Sequence, residues 1–145
     1  MISRNTSTLR SMAKSNLTKA KEISQATKEK VLERQGYRSI SGVALTPYNV
    51  DFHHVIYRSS SGIGYEFNIC AITKEEHRWF HDKQDIIVNG HRRYSWIEFE
   101  ILMKNHLKLS YNGWTEEKCK FHKYWNESDY GVTRREGKCL QHRND

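Results

Sequence analysis

A small α+β protein is what this sequence predicts, and two observations carry the prediction. Between positions 51 and 88 the signals run strand, loop, strand, helix: DFHHVIY, RSSSGIG, FNICAI, then a Thr73–Glu76 pattern that opens a helix. On either side lie stretches that suit helices, residues 7–35 and 94–109. A chain of 145 residues accommodates one domain with a modest core and appendages. It divides into a basic helical N-terminal arm (1–35), a central ββα core (36–90) and a C-terminal helical extension with a polar tail (91–145).

The elements follow from residue types. Residues 7–35 hold Leu9, Met12, Leu17, Ala20, Ile23, Ala26, Val31 and Leu32 without Pro or Gly, which predicts one or two partly exposed helices. Gly36 stops them. The segment 37–50 contains Gly42 and the single proline, Pro47, and reads as a loop or short hairpin. Aromatic and β-branched residues make 51–57 a strand, composition makes 58–64 a flexible loop, and 67–72 is a second strand. Thr73 with Glu76 is a capping box, and the helix it opens runs through HRWFHDKQ to end before Asn89-Gly90. Ile97, Ile101, Leu102 and Met103 give 94–109 an apolar helical face. Gly113 separates that helix from a short one over 115–125, and the chain beyond Asn126 reads as a polar, poorly ordered tail.

Composition narrows the function classes. Apolar residues are 37% and charged residues 28%, which suits a folded, surface-rich protein. No apolar run approaches the roughly 20 residues that cross a bilayer, so no membrane role is expected. The N-terminus lacks the apolar segment of a secretory signal. It is basic, Ser/Thr-rich and free of acid up to Glu22, superficially like an organellar transit peptide, but a basic arm serves a nucleic-acid binder equally well. Cys70, Cys119 and Cys139 are odd in number and far apart, which fits a reducing cytoplasm better than a disulfide framework. Net charge is +7, and residues 1–34 carry eight Lys/Arg, Lys14, Lys19 and Lys21 among them, against three acids. Such an arm attracts polyanions by releasing counterions from phosphates; the plain alternative is a solvated helical face that binds nothing.

Four of the eight histidines fall between 53 and 81. His77 and His81 are four apart on the predicted helix, one turn apart on one face, a spacing that suits two imidazoles sharing a metal ion. The pair His53-His54 offers a third ligand. Strand alternation sends neighbours to opposite faces, so one can bind metal while the other moves a proton.

Here the sequence resembles the HNH endonuclease family, also called ββα-metal or His-Me finger nucleases, in its colicin-type and bacteriophage branches. The matching residues are Asp51-Phe52-His53-His54-Val55, Asn68 within Phe67-Asn68-Ile69-Cys70, and His77-Arg78-Trp79-Phe80-His81-Asp82, spaced HH-x13-N-x8-H-x3-H. The resemblance covers about residues 36–83. It implies that His53, His77 and His81 hold one divalent ion with positions left open for a phosphate oxygen and water. His54 would be the general base, available as a neutral imidazole because its ordinary pKa is about 6.5. Asn68, the middle residue of the motif, would brace the loop between the strands rather than ligate. Imidazoles favour Zn, Ni, Co or Mn over Mg, although an open site accepts several. Arg58 and Arg78 are the nearest candidate cations for the scissile phosphate, and each has a plain surface arginine as its alternative.

The implied activity is hydrolysis of phosphodiester bonds in DNA, by nicking or by double-strand cutting. The implied partners are DNA, a second copy of the chain as a homodimer where both strands are cut, and a phage or mobile-element protein, in the cytoplasm of a bacterial host. Many family members carry two CxxC pairs around the ββα unit; here residues 37–42 contain no cysteine, so packing alone must hold the fold. The alternative class is a nucleic-acid-binding or regulatory protein that keeps the His-rich finger, or a structural zinc knot, without turnover; the free His54 and an open coordination position argue for the enzyme. The other histidines lack partners at ligand spacing, Cys70 reads as core, Cys119 with His122 lacks further ligands, and Trp79, Trp96, Trp114 and Trp125 read as packing residues.

Overall fold

The computed structural model describes residues 16–136, so Lys14, Cys139, His142 and the first part of the predicted arm lie outside the described residues. Within 16–136 the protein is α+β, with small antiparallel sheets. The arm is broken into α1 (Asn16–Lys21) and α2 (Gln25–Gln35). Ser24 makes the break: its hydroxyl accepts from the Thr27 amide at 3.1 Å and caps α2. Gly36, at φ 63°, ends α2 in the left-handed region, and the Tyr37 amide returns to the Leu32 carbonyl at 2.9 Å.

Strands β1 (Val50–His54) and β2 (Ile69–Thr73) pair antiparallel, with His53 opposite Cys70 and His54 opposite Ile69. Every residue of β2 is buried. One face of the hairpin packs Phe52, Ile69 and Ala71 against Val31 of α2. The other turns Cys70 and Ile72 into a larger core with Phe80, Phe99, Met103 and Leu107. The chain therefore forms three layers, with the hairpin between α2 and two further helices, α3 (Lys74–His81) and α4 (Trp96–Ser110).

Both legs of the Thr73/Glu76 capping box are present on α3. The Glu76 carboxylate, buried, also accepts from the hydroxyls of Ser39 and Ser41, so one cap residue ties α3 to the loop before β1. On the opposite side Arg34 pins α2: its guanidinium donates to the carbonyls of Glu66 (2.8 Å) and Ile69 (2.6 Å), to the Tyr111 hydroxyl (3.0 Å) and to His106 Nε2 (2.9 Å).

Four expectations need correcting. Helix α3 stops at His81 instead of running through Gln84, because Lys83 takes a left-handed conformation (φ 57°) and the Gln84 amide returns to the Trp79 carbonyl at 2.8 Å. The residues beyond form a hairpin, β3 (Ile86–Val88) with β4 (His91–Tyr94), around Asn89-Gly90, both at positive φ. Residues 115–125 contain a single 3₁₀ turn, Glu117–Cys119, in place of a helix. The tail past Asn126 is folded up to the limit of the described residues. Asn126 caps the turn Glu127–Tyr130, Tyr130 is 2% exposed beside Tyr65 and Phe67, and β6 (Thr133–Arg134) pairs with β5 (Tyr111–Asn112). One buried tyrosine outweighs the polar composition around it. Among the described residues no helix is long and apolar enough to cross a membrane.

Candidate active site

Alternation along β1 separates the functional side chains by face. Asp51 and His53 point toward α3, whereas Phe52 and His54 point toward α1 and α2. Both sides open on one cleft of about 1000 Å³, walled by β1, the segment after α1, the end of α3 and Trp96.

On the α3 side, His77 Nδ1–H donates to Asp51 Oδ2 at 2.9 Å, the tautomer in which Nε2 carries the lone pair of a neutral ring. That Nε2 stands 3.3 Å from His53 Nδ1. His53 is 6% exposed, and its Nε2 is buried without a hydrogen-bond partner. Burial above all, then the neighbouring His77 and His54, pushes the His53 imidazole down to about 3, so it is neutral at ordinary pH. A neutral imidazole carries one proton. On Nε2 that proton has no acceptor; on Nδ1 it leaves a buried lone pair unsatisfied.

On the other side, His54 Nε2–H donates to the main-chain carbonyl of Lys21 at 2.8 Å, across 33 residues of sequence. This sets the tautomer and leaves Nδ1 as an acceptor. Burial is the main reason that His54 sits below the ordinary histidine range; the bond to Lys21 opposes it by holding the proton, and the charge of Arg58 adds to the lowering.

Asn68, fully buried, bridges the loop between the strands. Its Oδ1 accepts from the Ile56 amide at 2.8 Å, and its Nδ2 donates to the carbonyls of Ile56 (3.1 Å) and Ile63 (2.8 Å). All three of these side-chain hydrogen bonds are to main chain, and none is to the histidines.

The sequence expectation of three converging imidazoles is met by two. His81 lines the same cleft, but its side chain is 84% exposed and directs Nδ1 to Asp82 Oδ1 at 3.4 Å. Among the described residues, no three His, Cys, Asp or Glu side chains are disposed to hold a metal ion. His81 is the last residue of α3, and its ring faces its sequence neighbour Asp82 instead of the other two imidazoles. The donors present still fit a divalent ion in part. Two nitrogens bound to one tetrahedral ion at about 2.0–2.1 Å stand about 3.3–3.4 Å apart, the separation found between His53 and His77. The carboxylate behind His77 fixes its tautomer in the way metal-bound imidazoles are commonly fixed.

Of the predicted cations, Arg58 and Lys21 line the cleft and Lys19 does not. Arg78 is exposed and faces away from the cleft, because one helical step of about 100° separates it from His77. Lys28, one of the eight cations of the arm, and Lys83, which sequence reasoning missed, also line the cleft and lie over the rings of Phe52 and Trp96 (5.5 and 5.6 Å). Sequence reasoning also missed Asp51 as a partner for His77. The signal was available: Asp51 and His53 are two apart in a strand and so share a face. The carbonyl of Lys21 had no signal at all, since any residue supplies one. The bland reading of Cys119 and His122 agrees with their surroundings: the thiol contacts the Phe67 carbonyl, and the ring stacks on Trp125 at 3.9 Å.

No protein-family model matches this chain, and neither a curated protein nor a solved structure matches it.

Proposed function

We propose that the chain is a metal-dependent nuclease of the HNH type that hydrolyses phosphodiester bonds in DNA, with β1, β2 and α3 as its ββα-metal unit. The observation that supports this best is the division of labour on β1: one histidine oriented by a carbonyl and left with a free nitrogen, its neighbour paired with a carboxylate-backed imidazole. A general base needs its lone pair exposed and its other nitrogen anchored. His54 meets both needs, taking a proton on Nδ1 from the attacking water while the Lys21 carbonyl stabilises the imidazolium that results. His53 and His77 would hold the ion, with His81 completing the set by rotation of its exposed side chain about χ1. A bound divalent cation, Zn, Ni, Co, Mn or Mg, supplies Lewis-acid stabilisation of the phosphate and the departing oxygen. Lys21, Lys28, Arg58 and Lys83 offset phosphate charge along the cleft.

Plasmid nicking with each metal, for wild type beside His54→Ala, tests the proposal. Nicking by wild type, lost in the variant while DNA affinity persists, is expected; no nicking with any metal overturns it. One observation favours a second reading, a DNA-binding protein without turnover: His81 is turned away from the other two imidazoles. Calorimetric titration of the metal into wild type and His81→Ala separates the two. Weaker binding in the variant supports the three-ligand site, and equal binding supports the second reading.

A further inference from the structure

The carbonyl that orients His54 belongs to Lys21, the last residue of α1. A helix end is held in place by the packing around it more than by its own propensity. The contact that does so is Gly64. Its amide donates to the Ala20 carbonyl at 2.7 Å, one residue before Lys21. Its α-carbon lies flat against the Lys21–Glu22 main chain: a Cβ there would overlap the Glu22 carbonyl and stand 2.9 Å from the Lys21 oxygen itself. Gly64 is not at positive φ, so close approach of two backbones, rather than a special conformation, is what demands glycine.

Gly64 is itself held from behind. Its neighbour Ile63 donates its amide to the Cys119 carbonyl at 2.9 Å and accepts from Asn68 Nδ2 at 2.8 Å. A continuous set of contacts thus runs from Asn68 through Ile63 and Gly64 to Ala20, Lys21 and the imidazole of His54. The side chain of Asn68 makes no hydrogen bond to the histidines, yet it anchors the surface on which the orienting carbonyl rests.

We infer that Gly64 is a positioning residue for His54: it seats the end of α1 so that the Lys21 carbonyl holds the imidazole in its Nε2–H tautomer. This rests on the reading of His54 as the base, but the tautomer can be measured without turnover. The experiment is two-bond ¹H–¹⁵N correlation of the histidine side chains in wild type and Gly64→Ala. Wild type is expected to show His54 as the Nε2–H form, and the variant a mixture of both tautomers. His106 serves as the internal control: Arg34 donates to its Nε2, so it stays in the Nδ1–H form in both proteins if the fold is intact.

In nicking assays, kcat of Gly64→Ala is expected to fall by about tenfold to a hundredfold, part of what a general base contributes, with KM within about twofold. A folded Gly64→Ala protein with the wild-type His54 tautomer and full kcat overturns the inference. Should that variant lose the His106 signal through unfolding, replacement of the Lys21–Glu22 amide by an ester decides. It weakens the same carbonyl without adding an atom beside Gly64, and an unchanged His54 tautomer would then overturn the inference. A wild-type protein that shows the Nε2–H form but nicks with no metal overturns the nuclease reading and leaves the positioning role standing.

Discussion

His53 and His54 are adjacent in sequence and are held by opposite means. On the α3 side of β1, side chains arrange side chains: Asp51 fixes His77, and His77 meets His53, all within 26 residues. On the α1 side, main chain arranges a side chain, with the carbonyl of Lys21, 33 residues away in sequence, fixing His54. The first arrangement can be dismantled by deleting one carboxylate. The second survives most side-chain changes and fails where backbone packing fails. Metal and base chemistry together would need both, because an ion requires lone-pair donors whereas a general base requires one acceptor partner for its N–H and one free nitrogen.

That contrast can be broken most severely at His54. His54→Ala is expected to lower nicking kcat by about 10²–10⁴-fold, with metal affinity by calorimetry unchanged; parallel loss of metal binding would show that the two sides are not separate. Asn68→Ala strikes the base side from behind. It leaves the buried Ile56 amide and the Ile56 and Ile63 carbonyls without their partner, at a cost of about 2–4 kcal/mol in urea unfolding. A change below about 0.5 kcal/mol would remove the bracing role.

A third imidazole sharpens the comparison through pH. His106 is pushed down to about 3, chiefly by burial and then by Arg34 and Arg134. Its folded pKa lies below the unfolded value of about 6.5, so its stabilising share is complete above 6.5 and is lost as pH falls toward 3. The loss is on the order of a few kcal/mol, and His106→Gln should flatten the acid limb of stability against pH over that window. An identical limb in the variant would refute the assignment.

Asp51→Asn tests the metal side alone. Metal affinity should fall by about 10–100-fold, while the His54 tautomer by ¹⁵N correlation stays Nε2–H; a shifted tautomer would mean that the faces communicate. Smallest is the rim: Arg58→Ala should weaken DNA binding uniformly and reduce the slope of log K against log salt by about 1. An unchanged slope would take Arg58 out of the interface.

How far the fold and the site could be read in advance depends on sequence separation. The capping box at Thr73 and Glu76, the stop at Gly36 and the alternation of His53 and His54 were legible because each is decided within a turn or a strand pair. Asn89-Gly90 directly after Ile86-Ile87-Val88 is an equally local hairpin signal, and it outweighs the reading of that pair as a helix end. The inward packing of Tyr130, the break at Ser24 and the outward turn of His81 were not legible. For Tyr130, contacts with the distant Tyr65 and Phe67 overrule a polar local composition; at Ser24 and His81 a local cap and a neighbouring carboxylate compete with the helical pattern around them.

The amino-acid sequence by itself determined the α+β class, the strand–strand–helix order and the placement of His53, His54 and His77 on elements that present them to one cleft. Period-two and period-3.6 geometry act on neighbours, and neighbours are written in order. Only the tertiary structure decided which carbonyl orients His54, that Gly64 lets two backbones touch, and that His81 ends up exposed. Those outcomes depend on which surfaces meet after the chain has folded, and a main-chain oxygen carries no residue-specific mark to announce them.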